Sequence, residues 1–156
     1  MNTQDFKGFG LIEPILRALE EESFDTPTPI QQEAMPLMLA GHDVMGCAQT
    51  GSGKTAAYAL PMLQNLHKTQ TNPVRRSVRA LVVAPTRELA DQIAGDFSMF
   101  GRHLNLSTAV IYGGVGKGDQ INRLYRGVDI LVATPGRLLD LMEQRKLVLG
   151  RTEILV

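Results

Sequence analysis

The stretch Ala48-Gln49-Thr50-Gly51-Ser52-Gly53-Lys54-Thr55 decides the fold of this 156-residue chain. It follows a predicted strand at Asp43–Cys47 and opens a predicted helix at Lys54–Lys68. The glycines permit a tight loop whose backbone N–H groups turn inward, and the helix start adds partial positive charge. Lys54 can reach the outer phosphates of a nucleoside triphosphate, and the Thr55 hydroxyl can ligate Mg²⁺. The alternative is a glycine-rich turn with a chance Lys-Thr pair, but the strand–loop–helix context favours phosphate binding.

Short apolar runs alternate with helical patterns after this loop. The predicted strands are Ala80–Ala84, Thr108–Tyr112, Asp129–Ala133 and a run that begins at Glu153–Val156. The predicted helices are Glu88–Phe100, Lys117–Tyr125 and Pro135–Arg145. The most apolar strands do not alternate with polar residues, so we expect both of their faces to be buried. The pattern predicts an α/β fold, a parallel sheet flanked by helices, that is incomplete at its C-terminus.

The residues before the loop have helical rather than strand patterns. Apolar spacing predicts a helix over Leu11–Glu22, and Thr28 and Pro29 open a second that runs to about Ala40. Gln31 lies where a capping box places Glu or Gln. We therefore divide the chain into a helical segment, residues 1–40, and a partial α/β domain, residues 41–156.

Composition and charge narrow the functional classes. Apolar residues make up 44% of the chain, which predicts a packed core, and no run approaches the roughly 18 apolar residues of a membrane span. We see no secretion signal and expect no membrane partner. The single cysteine, Cys47, excludes an internal disulfide and suits the cytoplasm. Residues 1–43 carry eight acids and two bases, whereas residues 44–87 carry six bases and no acid. A basic middle favours contact with phosphate, although solvated faces produce the same pattern.

Further motifs accompany the phosphate loop. They are Phe24-Asp25-Thr26-Pro27-Thr28-Pro29-Ile30-Gln31, Pro85-Thr86-Arg87-Glu88-Leu89-Ala90, Gly113-Gly114 and Thr134-Pro135-Gly136-Arg137. An isolated aromatic, Phe6, lies 18 residues before Phe24. In this order the motifs resemble the first half of a DEAD-box RNA helicase over nearly the whole chain, and the run looks most similar to the bacterial RhlE-like subgroup. The resemblance implies a P-loop RecA-like domain that uses ATP and Mg²⁺.

The resemblance also implies how adenine is bound. Gln31 looks like the adenine reader, because a carboxamide donates to N7 and accepts from N6, whereas guanine offers two acceptors on that edge. The alternative is that Gln31 only completes the capping box. Phe6 resembles the residue that stacks on adenine; the alternatives are that Phe6 anchors the first helix or that Phe9 is the stacking residue. The other implied nucleotide contacts are Phe24, Thr26, Gln49, Thr50, Gly51, Ser52 and Gly53, with Lys54 and Thr55 also serving catalysis.

The remaining motifs are similar to the positions that grip RNA in this family. They are Pro85, Thr86, Arg87, Gly113, Gly114, Thr134, Pro135, Gly136 and Arg137. The loops that carry them follow predicted parallel strands, whose carboxyl ends gather binding loops. Arg87 and Arg137 would contact phosphates, and no side chain here reads a base edge, so we expect sequence-independent binding. For each motif taken alone, the alternative is a helix-start turn or a surface charge.

The family's acidic motif and its second RecA-like domain do not occur in the sequence. The resemblance implies that Asp-Glu-Ala-Asp would follow a segment like Glu153–Val156, so we expect this chain to bind ATP weakly and not to hydrolyse it. We also expect the exposed final strand to allow self-association through edge pairing. The rival interpretations are a small-molecule kinase, a non-catalytic nucleotide- and RNA-binding module, and a DNA translocase.

Overall fold

The residues that the structure describes form one parallel sheet of four strands. The computed structural model describes residues 5–69 and 71–156. The strands are β1 (Val78–Val83), β2 (Thr108–Ile111), β3 (Val128–Ala133) and β4 (Ile154–Leu155). Their order across the sheet is β2-β3-β1-β4, and every neighbouring pair is parallel. This arrangement confirms the predicted fold class, because parallel strands need crossover connections and the helices supply them.

The register of the sheet brings three strand ends together. Val83 at the end of β1 and Ile111 at the end of β2 both lie opposite Ala133 at the end of β3. The loops that follow these three strands therefore leave the sheet at the same edge. The backbone therefore confirms the expectation that the loops carrying the motifs lie together at the carboxyl edge of the sheet.

Residues 71–95 and 106–156 form one compact unit with its own core. The sheet packs against α5 (Gly118–Tyr125) and α6 (Pro135–Glu143) through apolar side chains. The buried side chains of this core include Val78, Leu81, Ile111, Leu124, Val128, Leu131, Leu138 and Leu141. The central strands β1 and β3 are buried almost throughout, as their unbroken apolar runs predict.

A buried ion-pair network ties the strands of this unit together. The Arg79 guanidinium on β1 pairs with Asp129 on β3 at 3.1 Å and with Glu153 at 2.9 Å. The second carboxylate oxygen of Asp129 accepts hydrogen bonds from the Ser107 N–H and hydroxyl, each at 2.8 Å. Because the Asp129 charge is removed from water, its partners are needed to compensate it.

Residues 5–69 and 96–105 form a second compact unit, which is helical. It contains a short 3₁₀ helix (Phe6–Phe9), α1 (Glu13–Glu21), α2 (Pro29–Leu39), α3 (Lys54–Thr69) and the end of α4 (Arg87–Phe100). The buried Gln64 amide of α3 accepts from the Ile12 N–H at 2.8 Å and donates to the Gly10 carbonyl at 3.1 Å. This amide fixes the segment that leads into α1 onto α3.

The predicted strand at Asp43–Cys47 is wrong. The segment is exposed along its length, Met45 fully so, and it joins no ladder with the strands of the described residues. Strand propensity alone cannot hold an extended segment, because its backbone N–H and C=O groups need a neighbouring strand. Cys47, the last residue of this segment, is exposed for the same reason.

The other predicted elements are formed with boundary shifts of a few residues. The segment between α3 and β1 is a loop from residue 71 onward, and Gln70 lies outside the described residues. In the described part of the chain, none of the helices has the length and apolar character needed to cross a membrane.

Candidate functional sites

The phosphate loop is closed by its own lysine. Lys54, the first residue of α3, donates through Nζ to the carbonyl oxygens of Ala48 at 2.5 Å and Gln49 at 2.7 Å. An ammonium group has three N–H donors. Two of these donors bond the loop carbonyls and so close the loop into a ring. Among the described residues, no acceptor is bonded to the third donor. The ammonium therefore sits inside the curve of the loop with one donor available to a phosphate oxygen.

Gly53 is required at its position for two separate reasons. Its φ is +87°, in the left-handed region that a residue with a Cβ rarely adopts. A Cβ built on Gly53 would also lie 2.5 Å from the Gln31 amide nitrogen and 3.1 Å from the Thr28 hydroxyl. The phosphate loop is thus packed directly against the start of α2.

Gln31 links the start of α2 to the phosphate loop. It is only 2% exposed, its Oε1 accepts the Thr28 N–H at 2.9 Å, and its Nε2 donates to the Gly53 carbonyl at 3.1 Å. The first contact is the predicted half of the capping box. The second, which joins Gln31 to the loop 22 residues away, could not be inferred from local spacing. Adenine recognition by this amide stays a prediction, and it requires at least one of these contacts to be exchanged.

Two buried hydroxyls lie in the same part of the unit. Thr28 Oγ1 and Ser52 Oγ have no hydrogen-bond partner among the described residues. Buried polar groups are nearly always satisfied in folded proteins, by protein, water or ligand. Ser52 was predicted to contact nucleotide, and its orphaned hydroxyl fits a site that receives a polar ligand.

Thr55 is supported by a residue that the sequence analysis missed. Thr55 is half-buried, and Tyr58, one turn along α3, lies close enough to interact with its hydroxyl. Burial raises the pKa of Tyr58, and the contact with Thr55 opposes that shift. The i, i+3 spacing on a helix was the available signal. Within the described residues, no group of three or more His, Cys, Asp or Glu side chains could hold a metal ion.

The aromatic residues near this site have different environments. Phe6 is 3% exposed and packs in the core of its unit, 6.1 Å from the Phe9 ring. Its ring faces are covered, which favours the core-anchor interpretation over stacking on adenine and leaves the partly exposed Phe9 more accessible. Phe24 is partly exposed and meets Phe100 edge-on at 5.3 Å, and Thr26 is exposed.

The predicted RNA-binding motifs lie together at the carboxyl edge of the sheet. Arg87 follows β1 and donates through Nη1 to the Gly113 carbonyl after β2, at 3.2 Å. Gly114 has a φ of +80°, and a Cβ there would clash with the Arg87 guanidinium. The Arg87 guanidinium also lies 5.6 Å from the centre of the Tyr112 ring. Two motifs that are far apart in sequence are therefore in direct contact.

The motif Thr134–Arg137 also contacts this cluster, through the side chain of Arg137. Its guanidinium donates to Gln120 Oε1 at 3.0 Å and to the Val115 carbonyl at 3.1 Å, and the residue is only 7% exposed. Gln120, which the sequence analysis missed, donates in turn to the Tyr112 carbonyl at 3.2 Å. In this structure the buried guanidinium of Arg137 supports the loop after β2, and the contact with phosphate stays a prediction.

Apart from Arg87, the accessible groups at this edge are small side chains and backbone atoms. The exposed residues among those predicted are Pro85, Thr86, Arg87, Gly114, Pro135 and Gly136. Thr86 Oγ1 accepts the Leu89 N–H at 3.2 Å and so caps α4, while Thr134 is partly buried at the start of α6. Two helix starts, with their unpaired N–H groups, therefore reach this edge beside one accessible guanidinium.

The fold and the loop define the class: a parallel α/β domain with a phosphate-binding loop at the start of a helix. The sequence profile of the DEAD/DEAH box helicase family matches residues 28–156. The chain belongs to this family.

Named relatives agree with that assignment. The chain is 44% identical, over 97% of its length and 27% of the relative's, to the DEAD-box ATP-dependent RNA helicase 52A of Oryza sativa subsp. japonica. It is 47% identical, over 92% of its length and 26% of the relative's, to the ATP-dependent rRNA helicase RRP3 of Pyricularia oryzae. These relatives are from a plant and a fungus, so they do not support the bacterial RhlE-like prediction. The chain spans about a quarter of the length of these relatives.

A solved structure supports the fold independently. The RNA helicase Prp28 from Chaetomium thermophilum, crystallised with bound ADP, superposes with a TM-score of 0.90 at 38% identity. The match covers 98% of this chain and 37% of that one. The RecA-like fold class inferred from the sequence is confirmed.

Proposed function

We propose that this chain is the ATP- and RNA-binding part of an ATP-dependent RNA helicase that hydrolyses ATP to separate RNA strands locally. The observation that carries the proposal is the closed loop, in which Lys54 bonds Ala48 and Gln49 while Gln31 holds Gly53. A loop of this shape presents one ammonium donor and backbone N–H groups to a single anionic ligand. The relatives' names as ATP-dependent RNA helicases support the same function.

In the nucleotide site, Lys54 would bind the outer phosphates and Gln31 would read adenine. Thr55 would ligate Mg²⁺ beside the phosphates, and that ion would neutralise charge that develops during phosphoryl transfer. Gln49, Thr50, Gly51 and Ser52 would surround the phosphates from the loop. Phe24 and Thr26 would border the base, with Phe9 more accessible than Phe6 for stacking.

Adenine selection can be tested by replacing Gln31 with glutamate. The introduced carboxylate can still accept the Thr28 N–H and preserve the cap, but it has no donor for adenine N7 or for the Gly53 carbonyl. We expect wild type to favour ATP over GTP by about 1–3 kcal/mol. Gln31→Glu should bind ATP more weakly, because its carboxylate can accept from adenine N6 but cannot donate to N7. Titration calorimetry with both nucleotides measures both affinities. An ATP affinity equal to that of wild type in the variant would remove Gln31 from adenine recognition.

In the RNA site, the exposed groups at the carboxyl edge would hold the phosphate backbone. Arg87, the Thr86 hydroxyl and backbone N–H groups near Gly114 and Gly136 are accessible, whereas Arg137 supports the loop from beneath. None of these groups is shaped to read a base edge, so binding would be sequence-independent and salt-dependent. Ribose 2′-hydroxyl contacts would provide the preference for RNA over DNA.

Replacing Arg87 with alanine tests the RNA site. We expect weaker binding to single-stranded RNA of any sequence, and a salt dependence whose slope is smaller by about one unit. Filter binding at several salt concentrations measures both quantities. Arg17→Ala removes an exposed guanidinium far along the chain in the other compact unit and serves as the control. Equal losses in the two variants would show that Arg87 acts only through overall charge.

The remaining proposals concern the chain outside these two sites. Residues 1–40 would act as the adenine-recognition segment and residues 41–156 as part of the first RecA-like domain. Because the sequence has no apolar run followed by Asp-Glu, the acid that would hold Mg²⁺ beside Thr55 is missing. This chain would therefore bind nucleotide without turnover, as a non-catalytic module does. RNA-stimulated phosphate release from it would contradict that.

We also propose self-association through β4, a cytoplasmic location, and, as a finer assignment without support from the named relatives, the RhlE-like subgroup. β4 is the edge strand of the described sheet, and its Leu155 is exposed, which suits pairing with a second copy. Light scattering would detect the doubled mass. The free thiol of Cys47 is compatible with a reducing compartment.

A further inference from the structure

A second exposed surface lies at the amino ends of the strands. We call it the amino-edge patch, and its members are Val74, Arg75, Arg76, Tyr125, Arg126 and Val148. All but Val148 shortly precede β1 or β3, so the patch lies at the end of the sheet opposite the RNA motifs. Six residues of β1 separate the two edges, a distance of ~20 Å. The patch is therefore distinct from the site proposed above.

Direct contacts make the patch one continuous surface. The Arg75 guanidinium stacks on the Tyr125 ring at 3.8 Å from its centre, and that of Arg76 lies at 5.7 Å. The Val148 N–H donates to the Arg76 carbonyl at 2.8 Å. A Cβ on Gly127 would clash with the Val74 carbonyl, so the backbone on either side of Tyr125 and Val74 is tightly packed.

The turn that presents the arginines is held rigidly. The Ser77 N–H donates to the Val74 carbonyl at 2.9 Å, and the Ser77 hydroxyl accepts the Val74 N–H at 3.0 Å. Arg76 has a φ of +59°, a left-handed conformation that glycine or asparagine adopts more easily. An arginine in this conformation, in a fixed turn, is a reason to look for a ligand. Because the turn is already ordered, binding there would lose little conformational entropy.

The patch combines unpaired positive charge with exposed apolar side chains. Elsewhere in the described residues Arg79, Arg102 and Arg137 form ion pairs, but no carboxylate there pairs with Arg75, Arg76 or Arg126. The apolar members are well exposed: Val74 at 43%, Tyr125 at 45% and Val148 at 52%. Tyrosine and arginine are the residues most enriched where proteins bind one another tightly.

We propose that the amino-edge patch binds an acidic segment of a partner protein that carries an aliphatic side chain. Carboxylates of the segment would pair with the three arginines, and its aliphatic side chain would cover the valine methyls. A nucleic-acid backbone would satisfy the charges but would offer nothing to Val74 and Val148. The patch is small, so the complex is expected to be weak and transient.

Short fluorescent peptides test this proposal directly. A set that places leucine or valine among aspartates and glutamates would be titrated against the whole chain, with binding read as anisotropy. The double variant Arg75→Gln, Arg76→Gly should bind the best peptides about tenfold more weakly. Glycine suits the φ of residue 76, so the turn is retained, and circular dichroism would verify the fold.

Matched controls separate this surface from the others. Arg87→Ala should leave peptide binding unchanged, and replacing leucine by serine in the peptide should weaken it. Three outcomes would overturn the proposal: no peptide binds above background, the double variant binds as well as wild type, or leucine and serine peptides bind equally. An equal loss of single-stranded RNA binding in the double variant would also overturn it and assign the patch to RNA.

Discussion

Replacing Lys54 with alanine should weaken ATP binding about ten- to a hundredfold. The side chain would supply a charge-assisted hydrogen bond to phosphate, worth ~1.5–3 kcal/mol, and the same ammonium holds the loop through Ala48 and Gln49. Both contributions are lost together, because one nitrogen provides all three donors. Titration calorimetry with ATP on the purified chain measures the change.

Lys68→Ala provides the matched control for that measurement. Lys68 is exposed near the end of the same helix, so the substitution removes the same charge and leaves the loop intact. We expect its ATP affinity to equal that of wild type. If both variants lose affinity to the same degree, or if neither does, Lys54 does not bind the phosphates. Thermal melts of the two variants would exclude unfolding as the cause.

Replacing Arg79 with alanine should lower the free energy of unfolding by about 3–5 kcal/mol. The substitution leaves the Asp129 carboxylate nearly buried without its guanidinium partner, and an uncompensated buried charge is among the costliest single changes. Urea denaturation followed by circular dichroism measures the loss. The double variant Arg79→Met, Asp129→Asn should recover part of it, because it removes both charges.

Arg17→Ala is the control for burial, since Arg17 pairs with Glu21 at 3.0 Å on the surface of α1. Exposed pairs of this spacing contribute less than about 1 kcal/mol. A similar loss of unfolding free energy in the Arg17 and Arg79 variants would show that the buried ion pairs of Arg79 contribute no more than an exposed pair. A loss below about 1 kcal/mol for Arg79→Ala would contradict the prediction outright.

Much of this molecule was predictable from periodicity and loop chemistry. The unbroken apolar runs predicted that β1 and β3 are buried on both faces, and they are. The helix that begins at Lys54 follows from the glycine loop and the apolar spacing after it. Motif order placed three loops at one edge of a parallel sheet, because strand direction alone determines where such loops emerge.

What was missed depends on contacts between residues that are distant in sequence. The strand expected at Asp43–Cys47 has suitable residues but no neighbour to pair with among the described strands. Local spacing could not show that Gln31 reaches Gly53, or that Arg137 would bury its guanidinium beneath Val115. A motif identifies which residue type is needed, whereas burial determines whether its side chain faces a ligand or supports a neighbour.

The close fit between Gly114 and Arg87 has a consequence for how this edge can change over time. The guanidinium occupies the space that any side chain at position 114 would need, and the backbone there favours glycine as well. A side chain at position 114 would push the flexible guanidinium aside and break its hydrogen bond to the Gly113 carbonyl. A substitution of the glycine therefore also changes Arg87, which would keep its charge and lose the contact that orients it.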